Sequence, residues 1–141
     1  MIKNIFLSAI LGLIVCYAGS SQTEVSTKTG TVCFLRSTGF QASAIAFKTF
    51  IDASFICKLN NKKYSMHEVP EGVHQCSVQF FGKNNKKKTA QFEIVVEAGK
   101  INYVQLAMKK GFWKSSVYCE ELTPNTAIAK MKELKEDTKC I

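Results

Sequence analysis

Histidine is nearly absent from this chain: two residues in 141, His67 and His74. Acids are scarce too, 11 against 19 lysines and arginines, and there are only two prolines and one tryptophan. Each shortage excludes something. Hydrolytic chemistry wants a base and an orienting group beside a nucleophile, and no Gly-x-Ser-x-Gly elbow sets a serine near either histidine. Neither a paired-carboxylate constellation nor a glycine-rich phosphate loop can be read. A zinc site needs four ligands. His74 and Cys76, two apart on one strand face, would need Cys33 and Cys57 to converge on them. Core packing is the better reading of these residues. The expectation is a non-enzymatic protein with no metal, no cofactor and no catalytic residue.

The longest apolar run, residues 5–18, is too short to span a bilayer comfortably. It follows a short head carrying Lys3 and exits through small residues at 18–21. That is the form of a secretory signal peptide, expected to be cleaved after Ser20 or Ser21. Leu13-Ile-Val-Cys16 resembles a bacterial lipobox, but Val15 stands where Gly, Ala or Ser is usual, so lipidation at Cys16 is the lesser alternative. The expected location is the periplasm or the cell surface. Removing residues 1–21 takes one of the six cysteines and leaves Cys33, Cys57, Cys76, Cys119 and Cys140. An odd number in an oxidising compartment leaves a thiol over, or pairs it with another chain.

What is present is β pattern. Residues 22–30 read as a polar linker. Strands are expected over 31–36, 44–51, 55–59, 63–69, 73–81, 89–97, 102–108 and 117–122. In the fifth, His74, Cys76, Val78 and Phe80 alternate with Gln75, Ser77 and Gln79, the period of a half-buried strand. Pro70-Glu71-Gly72 before it reads as a tight hairpin turn, the glycine accepting positive φ, and Asn60-Asn61 as a second hairpin signal. About eight strands at this spacing, 31–122, make an antiparallel β-sandwich. The period then changes. Thr123 before Pro124 reads as a helix N-cap, and Ile128, Met131 and Leu134 form a narrow apolar stripe over a C-terminal helix, 123–141. Such a helix needs anchoring. A Cys119–Cys140 bridge would supply it, closing a loop of about 20 residues for roughly 3 kcal/mol.

Several of these segments together carry a resemblance. Phe50-Ile-Asp, Lys58-Leu-Asn, Val69-Pro-Glu-Gly-Val-His74, and Val96-Glu-Ala-Gly-Lys100 before Tyr103-Val-Gln-Leu106 resemble the PEGA-like families of bacterial exported proteins. Here Val73 follows the Pro-Glu-Gly turn where the family has Ala. The likeness is closer to a relative of that group whose first strand reads Val-Tyr-Phe-Leu-Arg, with Cys33 at the tyrosine position. The resemblance implies a transthyretin-like or immunoglobulin-like sandwich and a non-enzymatic envelope role, and it transfers no catalytic residue.

Net charge is +8. In a sandwich, alternate loops share an end. One end then collects Arg36, Lys62, Lys63, Lys83, Lys86, Lys87, Lys88, Lys109, Lys110 and Lys114, with no acid in those loops, and also Phe40, Phe81, Phe112 and Trp113. The other end collects Asp52, Glu68, Glu71, Glu97, Glu120 and Glu121, with Lys100 the main exception. An electropositive aromatic tip suits an anionic envelope glycan or lipid surface. The alternative is a structural or assembly domain docking on an envelope protein. Nucleic acid is not expected, and oligomeric state is not legible.

Overall fold

The computed structural model describes residues 27–40, 42–80, 90–113 and 115–140. Alternation of apolar and polar residues makes most of the chain strand: β1 (Thr29–Arg36), β2 (Phe47–Ile51), β3 (Ser54–Leu59), β4 (Lys63–Pro70), β5 (Gly72–Gln79), β6 (Phe92–Val96), β7 (Ile101–Lys109) and β8 (Ser116–Leu122). A short helix α1 (Pro124–Met131) and a two-residue strand β9 (Lys135–Glu136) follow. The strands form a sandwich of two sheets, one ordered β8-β7-β1-β4-β9 and the other β3-β2-β5-β6. The first is mixed, since β1 pairs β7 and β4 pairs β9 in parallel. The core lies between the sheets: Val32, Phe34, Val69, Val104 and Leu106 face Phe47, Ile51, Leu59, Val78, Ile94 and Val96.

Two expected hairpins are corners instead. β4 belongs to one sheet and β5 to the other, so Pro70-Glu71-Gly72 carries the chain between layers. Gly72 does take positive φ there, 142°. Likewise Asn60 to Lys62 passes from β3 to β4 across the sandwich. The β2–β3 turn is a true hairpin. Asp52 and Ala53 have φ of 50° and 64°, the primed turn whose twist suits paired strands. β1 also starts two residues inside the expected linker, because Gly30 is needed there. A Cβ on it would sit 2.7 Å from Val96 Cγ1 and collide with the Glu97 carbonyl.

The outer face of the first sheet has its own small core. Cys33 and Leu35, on the far side of β1 from Phe34, are covered by Ala127 and Leu134, with Tyr64, Tyr103, Leu122 and Met131 around them. Thr123 is the N-cap and Pro124 opens α1, as expected. The helix is shorter than the stripe suggested. It ends at Met131, and Ile128 is exposed while Ala127 is the buried residue. Beyond it the chain crosses to β4, where Lys135 N–H donates to Lys62 O and Asp137 N–H to Tyr64 O.

That crossing corrects the disulfide. Cys140 bonds Cys57, not Cys119, with Cα atoms 5.1 Å apart. β9 lies beside β4 at one edge of its sheet, β3 is the matching edge of the other, and Cys57 points inward from β3. Cys119 sits on β8 at the far edge. The bridge therefore ties the two sheets at their open edge. Cys33, Cys76 and Cys119 are buried thiols, and burial pushes each up to about 12. They are protonated and unreactive at neutral pH.

Candidate functional site at the basic loop end

Strand registers decide which loops meet. Arg36 at the end of β1 pairs Lys63 at the start of β4, and lies beside Leu106 of β7. On the other sheet Phe47 pairs Leu59, and Lys48 pairs Gln79. Hence the connections β1–β2, β3–β4, β5–β6 and β7–β8 all leave from one end, as alternation of loops requires. The turns holding Asp52, Glu71 and Glu97 lie at the other.

Arg36 is not part of the surface at this end. It is fully buried, 0% exposed, because sheet alternation points it inward with Val32 and Phe34. Its guanidinium lies over the Phe47 ring, 3.6 Å from the centroid, a cation–π contact. Nη1 donates to Leu59 O at 2.8 Å and Nη2 to Ala42 O at 2.7 Å. Desolvation lowers its pKa to about 10, so it stays charged at neutral pH. A buried cation thus holds the β1–β2 loop to the end of β3. Asn61 supplies a second tie. Its Oδ1 accepts from Thr38 N–H at 3.0 Å, and its Nδ2 donates to Gly39 O at 2.7 Å.

Held this way, the loops present aromatic side chains to water. Phe40, Phe112 and Trp113 are 98%, 94% and 92% exposed; among the described residues the next most exposed large apolar one is Val73 at 61%. Phe112 and Trp113 meet edge to face with centroids 5.3 Å apart. Lys62, Lys109 and Lys110 are exposed at the same end. Lys63 is not a free cation: its Nζ lies 3.2 Å from the buried Asp137 carboxylate, which the tail brings to this end together with the exposed Glu133 and Glu136. Lys83, Lys86, Lys87, Lys88 and Lys114, like Cys16 and Phe81, lie outside the described residues. Two further lysines belong here that the sequence did not mark. Lys48 and Lys58 are direct cross-strand partners on the outer face of the second sheet, one residue from its basic end. Like charges set opposite each other are unfavourable, so this pair concentrates positive potential at a cost in stability. Beside the loops a recess of about 230 Å³ is lined by Ser37, Thr38, Gln105, Ala107 and Met108. Gln105 Oε1 is buried without a hydrogen-bond partner among the described residues, and could accept from a hydroxyl or ammonium of a bound molecule.

The two histidines are absorbed by the fold. His67 Nε2 lies 3.0 Å from Ser65 Oγ, and desolvation lowers its pKa. Ser65 is only 1% exposed, so this pair offers a substrate no approach. At the acidic end His74 Nδ1 meets Asp52 Oδ2 at 2.6 Å and its Nε2 meets Pro70 O at 2.8 Å. Both partners accept, so both ring nitrogens donate, which only the imidazolium can do. The Asp52 hydrogen bond, helped by the Pro70 carbonyl and the Asp52 charge, raises the His74 pKa against the opposing effect of burial. The Gln75 N–H first, then His74, lowers that of Asp52. A histidine whose folded pKa lies above its unfolded value stabilises fully below about 6.5, and loses that contribution as pH rises through the folded pKa. His74→Ala is therefore expected to destabilise more at pH 5.5 than at pH 8.5 in urea unfolding. An equal loss at both would contradict this. His74 and Cys76 do not meet Cys33 or Cys57 at one point: Cys33 is on the outer face of β1 and Cys57 is in the disulfide. No group of three or more His, Cys, Asp or Glu side chains converges among the described residues.

No helix among the described residues is long and apolar enough to cross a membrane. Comparison of the chain with protein-family models, with curated proteins and with solved structures finds no match in any of the three.

Proposed function

We propose that this protein is an exported, non-catalytic binding module of the bacterial cell envelope, and that it meets an anionic surface with the loop end carrying Phe40, Lys62, Lys109, Lys110, Phe112 and Trp113. One observation carries the reading. Among the described residues, the three most exposed large apolar side chains and a cluster of lysines share one end of the sandwich, while Asp52, Glu71 and Glu97 occupy the turns at the other. Such segregation gives the domain a direction: the basic end is steered toward negative charge, and the acidic end away from it. The disulfide suits an oxidising compartment, as export requires. The sequence resemblance to PEGA-like exported domains, carried in part by Pro70, Glu71 and Gly72, points to the same envelope role.

A second reading has its own observation. Among the described residues nothing covers the outer face of the second sheet, which carries Val73 paired with Val95, both more than half exposed, and Phe50 edge to face with Phe55. This would suit docking on an envelope protein. Retention of the protein by envelope extract separates the two. Under the first reading, retention falls steeply between 50 mM and 500 mM salt, because exposed charges are screened. It also falls in Lys109→Glu/Lys110→Glu. Salt-insensitive retention with one stoichiometric protein, unaffected by that double substitution, would favour the second.

A further inference from the structure

We infer that the anionic surface is a lipid bilayer, and that the protein docks on it tip-first with Phe40, Phe112 and Trp113 inserted among the headgroups. This rests on the basic-end reading above and names its partner. Charge alone would suit an acidic glycan equally well. The aromatics distinguish the two by their exposure. A sugar-binding aromatic forms a wall or platform of a groove, with neighbours holding the ring at a fixed tilt. Phe40 has almost no covered surface, and Phe112 and Trp113 stay more than nine-tenths exposed while meeting each other edge to face. Nearly bare aromatic rings with exposed lysines in or beside the same loops suit a membrane interface, which takes apolar rings at the acyl boundary and cations at the phosphates. Lys109 and Lys110 precede Phe112 and Trp113 in the chain with only Gly111 between, and Lys62 lies next to Asn61, the residue that ties down Thr38 and Gly39 beside Phe40. The ties matter, because a loop fixed by Arg36 and Asn61 enters the interface already shaped.

Trp113 is the chain's single tryptophan and so reports on its own environment. The test uses the protein as it matures in the expressing cell, mixed with vesicles of phosphatidylcholine alone or with 30% phosphatidylglycerol. With the anionic vesicles, Trp113 emission should shift to the blue and become protected from iodide quenching. Neutral vesicles should produce neither change. Partitioning should fall at least tenfold in Phe40→Ser/Phe112→Ser, and about fivefold for each of Lys62, Lys109 and Lys110 made neutral. Vesicle co-sedimentation with unchanged Trp113 emission would overturn insertion. Failure to bind vesicles, with salt-sensitive retention on an acidic polysaccharide such as polygalacturonate, would overturn the bilayer and leave the basic end intact as a binding surface. Binding to neither would overturn both readings.

Discussion

Cys140→Ser is expected to cost about 4.5 kcal/mol, the chain-entropy value for a bridge that closes a loop of 83 residues' separation. At this size the loss corresponds to a fall in Tm of about 15 °C. The position of the bridge makes the loss larger than for a surface staple. Cys140 is part of the main core and joins β3 to the tail that runs along β4, so cutting it removes the covalent tie between the two sheets at that edge. The tail would loosen with it: β9 has two residues, too few to hold by pairing. Reducing agent should lower the Tm of the parent by a similar amount and leave that of Cys140→Ser nearly unchanged. Non-reducing peptide mapping should recover Cys57 with Cys140, and Cys119 as a free thiol. Recovery of a Cys119–Cys140 peptide, or a Tm insensitive to reductant, would contradict the arrangement.

Arg36→Ala is the second large loss, about 3 to 5 kcal/mol. Removing the guanidinium takes the side-chain donor from the buried carbonyl of Leu59, at about 1–3 kcal/mol, cuts the tie to Ala42 O, which keeps only its bond from Ile45 N–H, and leaves a cavity against Phe47. Arg36→Met should fall between parent and alanine, because it fills the space and removes a desolvated charge while leaving the Leu59 carbonyl without its side-chain donor. Arg36→Lys should rescue little, since one ammonium cannot reproduce the two directed bonds and the stacking of a planar fork. Though Arg36 touches no ligand in this account, its loss should also weaken surface retention, because the loop bearing Phe40 hangs from Ala42. Urea unfolding of the three variants measures the order. A loss below about 1 kcal/mol for alanine would show that the loop and β3 do not depend on this clamp.

These two residues also show where the sequence stops being legible. The strands were readable to within a few residues, because each alternates across a half-buried sheet and each is bounded by turn residues. Which sheet a strand joins was not: Tyr64 to Val69 and Val73 to Phe80 flank a perfect turn signal, yet stand in opposite layers. Alternation says which side chains turn inward and nothing about the neighbour. The ends of the sandwich followed from counting strands, so the loop cluster was legible. Individual charges within it were not. Arg36 and Lys63 looked like surface because their partners, two carbonyls and Asp137, come from segments distant in the chain. Lys48 and Lys58 were passed over because only strand register sets them side by side. The bridge was misread for a related reason. Leu134 falls three after Met131, so the helix appeared to continue and to keep Cys140 near β8. Instead the helix stops, Leu134 packs on β1, and a two-residue strand with no periodicity of its own carries the chain to β4.

Binding by one end of the sandwich should leave its mark in amide-resolved NMR. The ¹⁵N-labelled protein is titrated with small anionic bicelles and the perturbed amides are mapped. The account predicts shifts and broadening confined to residues 37–46, 60–62 and 109–113, fading along the strands toward Asp52, Gly72 and Gly99. Perturbation centred on residues 52–54, 70–72 and 97–100, or on Val73 and Val95 across the uncovered sheet face, would contradict it.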